Sequence, residues 1–388
     1  MEISFSPEQQ AIRDGVLKLC RQFDDAYWLA RDRDGEWPHD FHKAFAQAGF
    51  LGVSMPEEFG GAGLGITEAC IMTEAMSEAA GGGAAAACLN KYTYGLNPIA
   101  VFGTQEQKQR WIPPMIRGIE KNCFAITEPD IGLNTLALKT KATREGDIYV
   151  VTGTKIWTSS ARVADKMLII ARTTPAEDVR KRTEGLSLFY TDLDRSRIEI
   201  REIEKMGRKS VDSNILFIDG LRVPVRDRIG EEGQGFKYVL HGMNPERCLV
   251  GAGAIGLGRL ALNKAVAYAK ERVVFDRPIG MNQGIQHPLA ESWIEIEAAR
   301  LMVYQAAALY DRKQPCGAQA NAAKYLAAEA CFKACTTALM THGGMGYSKE
   351  YHVERYLRES FIPLIAPVSR ELILCHVAEK VLGLPKSY

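Results

Sequence analysis

Residues 124–160 read FAITEPDIGLNTLALKTKATREGDIYVVTGTKIWTSS, and the fold turns on this stretch. It opens on a Thr127-Glu128-Pro129 loop and closes, thirty positions later, on an aromatic followed by two hydroxyl residues, Trp157-Thr158-Ser159. Between them Ile148-Tyr149-Val150-Val151 is strand-like, and Gly146-Asp147 and Gly153 signal turns. The pattern predicts strand–turn–strand with a polar loop at each end.

Outward from that stretch the code changes on both sides. From residue 7 to about 121 the apolar spacing is helical: Ile12, Val16, Leu19 and Phe23 recur every three or four positions, with Ser6 placed to cap and Pro7 at a first-turn position. The Ala/Gly-rich run 79–87 predicts a closely packed helix. From 124 to about 230 short period-two runs dominate, including Met167-Leu168-Ile169-Ile170 and Ile215-Leu216-Phe217-Ile218, with an exposed loop at 176–184. Such short, regularly interrupted strands predict a small barrel or sandwich. From 235 onward long helical stretches return, broken at Gly343-Gly344-Met345-Gly346. Helix block, strand block, helix block predicts an α+β multidomain chain divided at about 1–122, 123–232 and 233–388.

Bulk properties bound the function. A chain of 388 residues has ample length for a large core. A formal net charge of +1 with intermixed signs points away from nucleic acid. Nine cysteines without a Cys-x-x-Cys pair read as reduced thiols, and Cys331 and Cys335, four apart, as packing residues. The start shows neither a secretory nor a transit pattern, and run 79–89 is too short to span a bilayer. The expectation is a bacterial-type cytoplasmic protein with no membrane partner.

Two tempting motifs fail their context. Gly251-Ala252-Gly253-Ala254-Ile255-Gly256 matches a dinucleotide fingerprint, which needs a strand before it and a helix N-terminus after it. Here Phe236, Val239, Leu240 and Met243 precede it at helical spacing, so the glycines continue a helix and serve close packing. His39 and His42 have no third ligand near them in sequence; a surface or capping role is expected, and no metal.

Several separated motifs, covering nearly the whole chain, resemble the acyl-CoA dehydrogenase family. The first pair is Ala125-Ile126-Thr127-Glu128-Pro129 with Gly153-Thr154-Lys155-Ile156-Trp157-Thr158-Ser159. In the family these loops hold the isoalloxazine of FAD. The resemblance implies that Thr127 lies near the pyrimidine end, that Trp157 shields a ring face and that the Ser159 region donates to N5, with Phe124, Ile126 and Thr158 on the same cofactor wall. Lys205-Met206-Gly207-Arg208-Lys209-Ser210 resembles the hairpin leading to the C-terminal domain, where Ser210 approaches substrate. Arg272-Val273-Val274-Phe275-Asp276 with Gln283 resembles the segment that reaches the FAD of a neighbouring subunit, Arg272 pairing the pyrophosphate. Asp276 stands where the family has Gly. His342-Gly343-Gly344-Met345-Gly346-Tyr347 resembles the loop that lays backbone against the adenosine half.

The catalytic base is where the chain departs. Many members supply a Glu from a late Tyr-Glu-Gly-Thr stretch; the matching Ile365-Ala366-Pro367-Val368-Ser369 puts Pro367 there, which takes no proton. Isovaleryl- and long-chain-type members carry their Glu just before an Arg, and Asn244-Pro245-Glu246-Arg247 matches that at an expected helix start. Glu246 is therefore the candidate base, with Asn244 and Arg247 as contacts to CoA, and Ser369 and Glu371 as further FAD contacts. Leu133 in Gly132-Leu133-Asn134 replaces a common serine at the substrate end. The resemblance implies a helical N-terminal domain, a central β-barrel and a C-terminal four-helix bundle. It also implies a homotetramer, FAD, an acyl-CoA substrate oxidised to a 2-enoyl-CoA, and an electron-transfer flavoprotein as partner. The base position hints at branched or longer acyl chains. Rival readings are a desulfinase, oxidase or reductase on CoA thioesters, or a flavin-free structural homologue.

Overall fold

The computed structural model describes residues 5–387. The first block is helical from Pro7–Cys20 to Gln105–Ile116. Its opening helix starts where the sequence places it: the Ser6 hydroxyl accepts from the Gln9 N–H and the Gln9 side chain returns to the Ser6 N–H, with Pro7 at the first position. The Ala-rich run forms the buried helix Gly82–Leu89.

The middle block is one eight-stranded sheet. Its strands are β1 (Asn122–Ala125), β2 (Lys141–Glu145), β3 (Ile148–Ser159), β4 (Lys166–Arg172), β5 (Leu186–Asp192), β6 (Ile198–Glu202), β7 (Ser213–Pro224) and β8 (Arg228–Ile229). They pair in the order β6-β7-β3-β2-β4-β5-β8, with β1 added parallel to β4. β4 shows why its sequence is apolar throughout. Met167, Ile169 and Ala171 enter the core enclosed by the sheet, whereas Leu168 and Ile170 enter the core shared with the helices. A strand buried on both faces carries no polar alternation.

In the last block Gly235–Glu271, Gln283–Asp311 and Gly317–His342 pack together. The fourth member is assembled from Val353–Ser360, Ile362–Ile365 and Arg370–His376, interrupted around Pro363 and Pro367. The 37-residue helix Gly235–Glu271 is the spine, and the fingerprint-like glycines lie inside it. A Cβ on Gly256 would stand 2.3 Å from the Glu74 carbonyl oxygen, and one on Gly251 2.9 Å from Val303. They are close-packing glycines, as their helical context predicts. Helix Ile66–Glu78 meets this spine through fully buried Glu74, which accepts from Arg300 Nε at 2.9 Å, Arg259 Nη1 at 3.2 Å and the Tyr304 hydroxyl at 2.7 Å.

His42 departs from expectation. It is buried, its Nε2 lies 2.5 Å from the Tyr92 hydroxyl, and burial pushes its pKa down to about 3. His39 is exposed, and among the described residues no cluster of three His, Cys, Asp or Glu side chains could hold a metal ion. Cys331 and Cys335 are buried free thiols. Among the described residues, Gly235–Glu271 and the helical stretch 353–381 are long and apolar enough to cross a membrane; the first is largely buried within the protein and the second largely open.

Candidate active site

The two loops that frame residues 124–160 come together. The Ile156 N–H donates to the Thr127 carbonyl at 2.9 Å, laying the end of β3 along the loop that follows β1. Beneath them Lys155, fully buried, donates to Glu128 Oε1 at 2.9 Å and to the Ile126 carbonyl at 3.1 Å. Glu128 also accepts the N–H groups of Lys139 at 2.7 Å and Thr140 at 3.0 Å. Burial alone would raise the Glu128 carboxyl, but the Lys155 charge and these donors hold it below its ordinary value. Lys155 and Glu128 are structural members of the site that the sequence reading passed over, although both lie inside its quoted motifs.

This lock leaves a platform with unused polar groups. Trp157 adopts a φ of 59° at a register shift between β3 and β7 and leaves its indole 56% exposed. The Thr158 hydroxyl is buried without a hydrogen-bond partner, as is that of Ser160; Ser159 is exposed. Phe124, Ile126 and Thr127 are half-buried on the adjoining edge. Leu133 stands in an exposed loop beyond them.

Phe124 packs edge-on against Tyr94, centroids 5.8 Å apart, and Tyr94 lies within the electrostatic reach of Glu246. Tyr94 ionises less readily because of its burial and, secondarily, the Glu246 charge. Glu246 lies in the fourth turn of Gly235–Glu271, not at a helix start; Pro245 sits inside the helix. Its carboxyl makes no hydrogen bond or ion pair among the described residues. Although the residue is only partly buried, desolvation by the surrounding protein pushes its pKa up to about 7, against the opposing pull of Arg247. Arg247 donates Nη1 to the Asn244 side-chain oxygen at 2.9 Å, while its Nε is buried without a partner. The loop around Pro367 is tied to the bundle by Lys324, which donates to the Val368 carbonyl at 2.5 Å. There the Ser369 hydroxyl caps Arg370–His376 by accepting the Leu372 N–H, and Glu371 is an exposed partner of Arg370. Ser210 is buried in the loop before β7.

The remaining candidates are elsewhere. Arg272 ends the helix that carries Glu246, roughly 26 residues or 39 Å further on at ~1.5 Å per residue. Phe275 and Asp276 form the two-residue tip of a hairpin with φ of 51° and 61°, so Asp276 takes the left-handed conformation expected of a glycine. Arg272, Phe275 and Gln283 are exposed, as are Gly343 and Gly344, around whose Cβ positions nothing lies within 4 Å.

Models of the acyl-CoA dehydrogenase N-terminal, middle and C-terminal domains match residues 6–119, 123–221 and 233–381. The chain belongs to the acyl-CoA dehydrogenase family. It is 38% identical to acyl-CoA dehydrogenase FadE12 of Mycobacterium tuberculosis, over 99% of this chain and 98% of that one. It is 32% identical to the caffeyl-CoA reductase-Etf complex subunit CarC of Acetobacterium woodii, over 92% and 93%. A solved glutaryl-coenzyme A dehydrogenase in complex with glutaryl-CoA superposes with a TM-score of 0.94 at 30% identity, covering 100% of this chain and 98% of that one. The three-domain acyl-CoA dehydrogenase architecture is thus established, and FAD is the cofactor of the family. The platform suits a flavin: an open indole face and the buried unpaired Thr158 hydroxyl beside it.

Proposed function

We propose that this protein oxidises an acyl-CoA thioester to the 2-enoyl-CoA, with Glu246 as the base that removes the α-proton. The observation that carries the reading is Glu246 itself: an unpaired carboxyl with a pKa near 7, close to Tyr94 and the Phe124 edge of the platform. A partly desolvated carboxylate without partners is a stronger base, and a pKa near the working pH suits proton transfer in either direction. The FAD of the family, when bound, would supply the hydride acceptor for the β-carbon, with an electron-transfer flavoprotein as the proposed electron acceptor.

The chain's own residues divide the remaining work. Phe124, Ile126, Thr127, Trp157, Thr158 and Ser159 would hold the ring end of the cofactor, with Trp157 keeping water from one face. Asn244 and Arg247 would orient the CoA moiety, the buried Arg247 Nε offering an unused donor. Ser369 and Glu371 would add cofactor contacts from the loop that Lys324 ties to the bundle, and Leu133 and Ser210 would border the substrate. Arg272, Phe275, Gln283, Gly343 and Gly344 cannot serve the same site within one chain, given the roughly 39 Å of helix between Arg272 and Glu246. They would complete the site of another subunit, which favours a homo-oligomer, a tetramer by family precedent. Phe275 at 94% exposure and Tyr347 at 86% are the large aromatic side chains such a contact would cover.

The experiment is an anaerobic titration of the yellow protein with a panel of acyl-CoA thioesters. Bleaching of the flavin band by one chain class supports the reading. Bleaching by none, with oxidation of reduced protein by enoyl-CoA instead, would favour the reductive direction that the likeness to a CoA-thioester reductase subunit raises.

A further inference from the structure

We infer that Tyr94 sets the width of the acyl pocket at the two reacting carbons, so that the preferred substrate is an acyl-CoA unbranched at both its α- and β-carbons. The inference rests on the acyl-CoA reading above and deepens it.

Tyr94 closes the short helix Lys91–Tyr94, which packs against two elements of the site at once: Gly235–Glu271, which carries Glu246, and β1, which carries Phe124. On the first side, a Cβ on Gly242 would lie 3.4 Å from the Tyr94 carbonyl oxygen. Gly242 and Glu246 are four apart on one helix and so share a face, one turn from each other. On the second side, the Tyr94 ring meets the Phe124 ring edge-on, with 5.8 Å between centroids and 88° between planes. Tyr94 therefore spans the interval from the base-bearing helix to the edge of the flavin platform. Its pKa is raised by burial and then by the Glu246 charge, in keeping with that position.

The reaction occupies the same interval. An α-proton goes to Glu246 and a β-hydride leaves toward the cofactor, so the Cα–Cβ bond has to lie between the two. A ring held along one side of that bond takes the volume a methyl branch would need. The backbone under the ring has no slack to retreat. The Tyr94 N–H donates to the Asn90 carbonyl at 3.3 Å and the Gly95 N–H to the Lys91 carbonyl at 2.9 Å. A Cβ on Gly95 would stand 2.5 Å from that Lys91 oxygen and 3.2 Å from Asn122 Nδ2 at the start of β1. The Tyr94 hydroxyl makes no hydrogen bond among the described residues, so the ring alone forms this wall. One carbon too many in a packed apolar pocket lowers kcat/KM by about ten- to two-hundredfold.

The test compares straight-chain acyl-CoAs with α-methyl and β-methyl acyl-CoAs of matched backbone length, by anaerobic flavin bleaching and by kcat/KM. The wild-type protein should favour the straight chain by about tenfold or more. Tyr94→Leu, which trades the ring for a smaller apolar side chain, should bring that ratio toward unity. Tyr94→Phe, which keeps the ring, should hold the wild-type ratio. The wild-type panel needs no variant to fold, so equal use of both chains or a preference for branched ones overturns the inference by itself. An unchanged ratio in a folded, yellow Tyr94→Leu protein overturns it as well, as does loss of the preference in Tyr94→Phe. Bleaching by no member of the panel overturns the acyl-CoA reading and this inference together, whereas bleaching with branched chains preferred overturns this inference alone.

Discussion

Replacing Lys155 by Met should unlock the two loops that frame residues 124–160. In the native protein the Lys155 ammonium donates to Glu128 at 2.9 Å and to the Ile126 carbonyl at 3.1 Å, with both charged groups buried. Removing one partner of a buried pair costs about 3–5 kcal/mol, because the other charge is left uncompensated. Glu128 keeps its bonds from the Lys139 and Thr140 N–H groups, which places the loss at the lower end, about 3 kcal/mol. At ~1.4 kcal/mol per tenfold, that is roughly a hundredfold change in a local opening equilibrium. Amide hydrogen exchange reads it directly. The Ile156 N–H bonded to Thr127, and the Lys139 and Thr140 N–H groups bonded to Glu128, should lose about two decades of protection together. Lys155→Met with Glu128→Gln should recover much of it, since no charge then remains unpaired. Unchanged exchange in the single variant, or loss confined to one loop, would refute the idea that this pair couples them.

Other perturbations have equally definite outcomes. The Glu246 carboxyl is raised from 4.5 to about 7, so the folded state holds the extra proton between those values and stability falls as pH rises through that window; Glu246→Gln should remove this slope in thermal melts at stepped pH. The rate of flavin bleaching should rise through pH about 7 as Glu246 becomes a free base, and a profile flat across that range would contradict its role. Gly256→Ala forces a Cβ to within 2.3 Å of the Glu74 carbonyl and should cost about 1–3 kcal/mol in a denaturant or thermal titration, whereas Gly284→Ala, with nothing within 4 Å, should be tolerated. Phe275→Asp should lower the assembled mass in light scattering and weaken flavin retention together; loss of neither would count against a shared site.

Much of this was legible in the sequence, for physical reasons that differ by residue. The Thr127 and Trp157 loops could be read because turn glycines and strand periodicity are local properties, and the fingerprint-like glycines because helical spacing precedes them. The start of the Glu246 helix was misread because a proline after Asn resembles a first-turn signal, whereas Pro245 is accommodated inside the helix. His42 was assigned to the surface because nothing local reveals that Tyr92, fifty residues on, covers it. Tyr94 had no sequence signature: it is a tyrosine after an alanine-rich helix. The distance between Arg272 and Glu246 likewise appears only once both are found on one continuous helix.

The central claim is that Glu246 is the base of an acyl-CoA oxidation. Its most direct test is rapid mixing of wild-type and Glu246→Gln protein, both yellow, with the best acyl-CoA of the panel under anaerobic conditions, following the flavin band. The account predicts fast bleaching in the wild type and a rate lower by at least about a hundredfold in the glutamine variant, the scale of a lost general base. A glutamine variant that retains flavin and bleaches at the wild-type rate would contradict it.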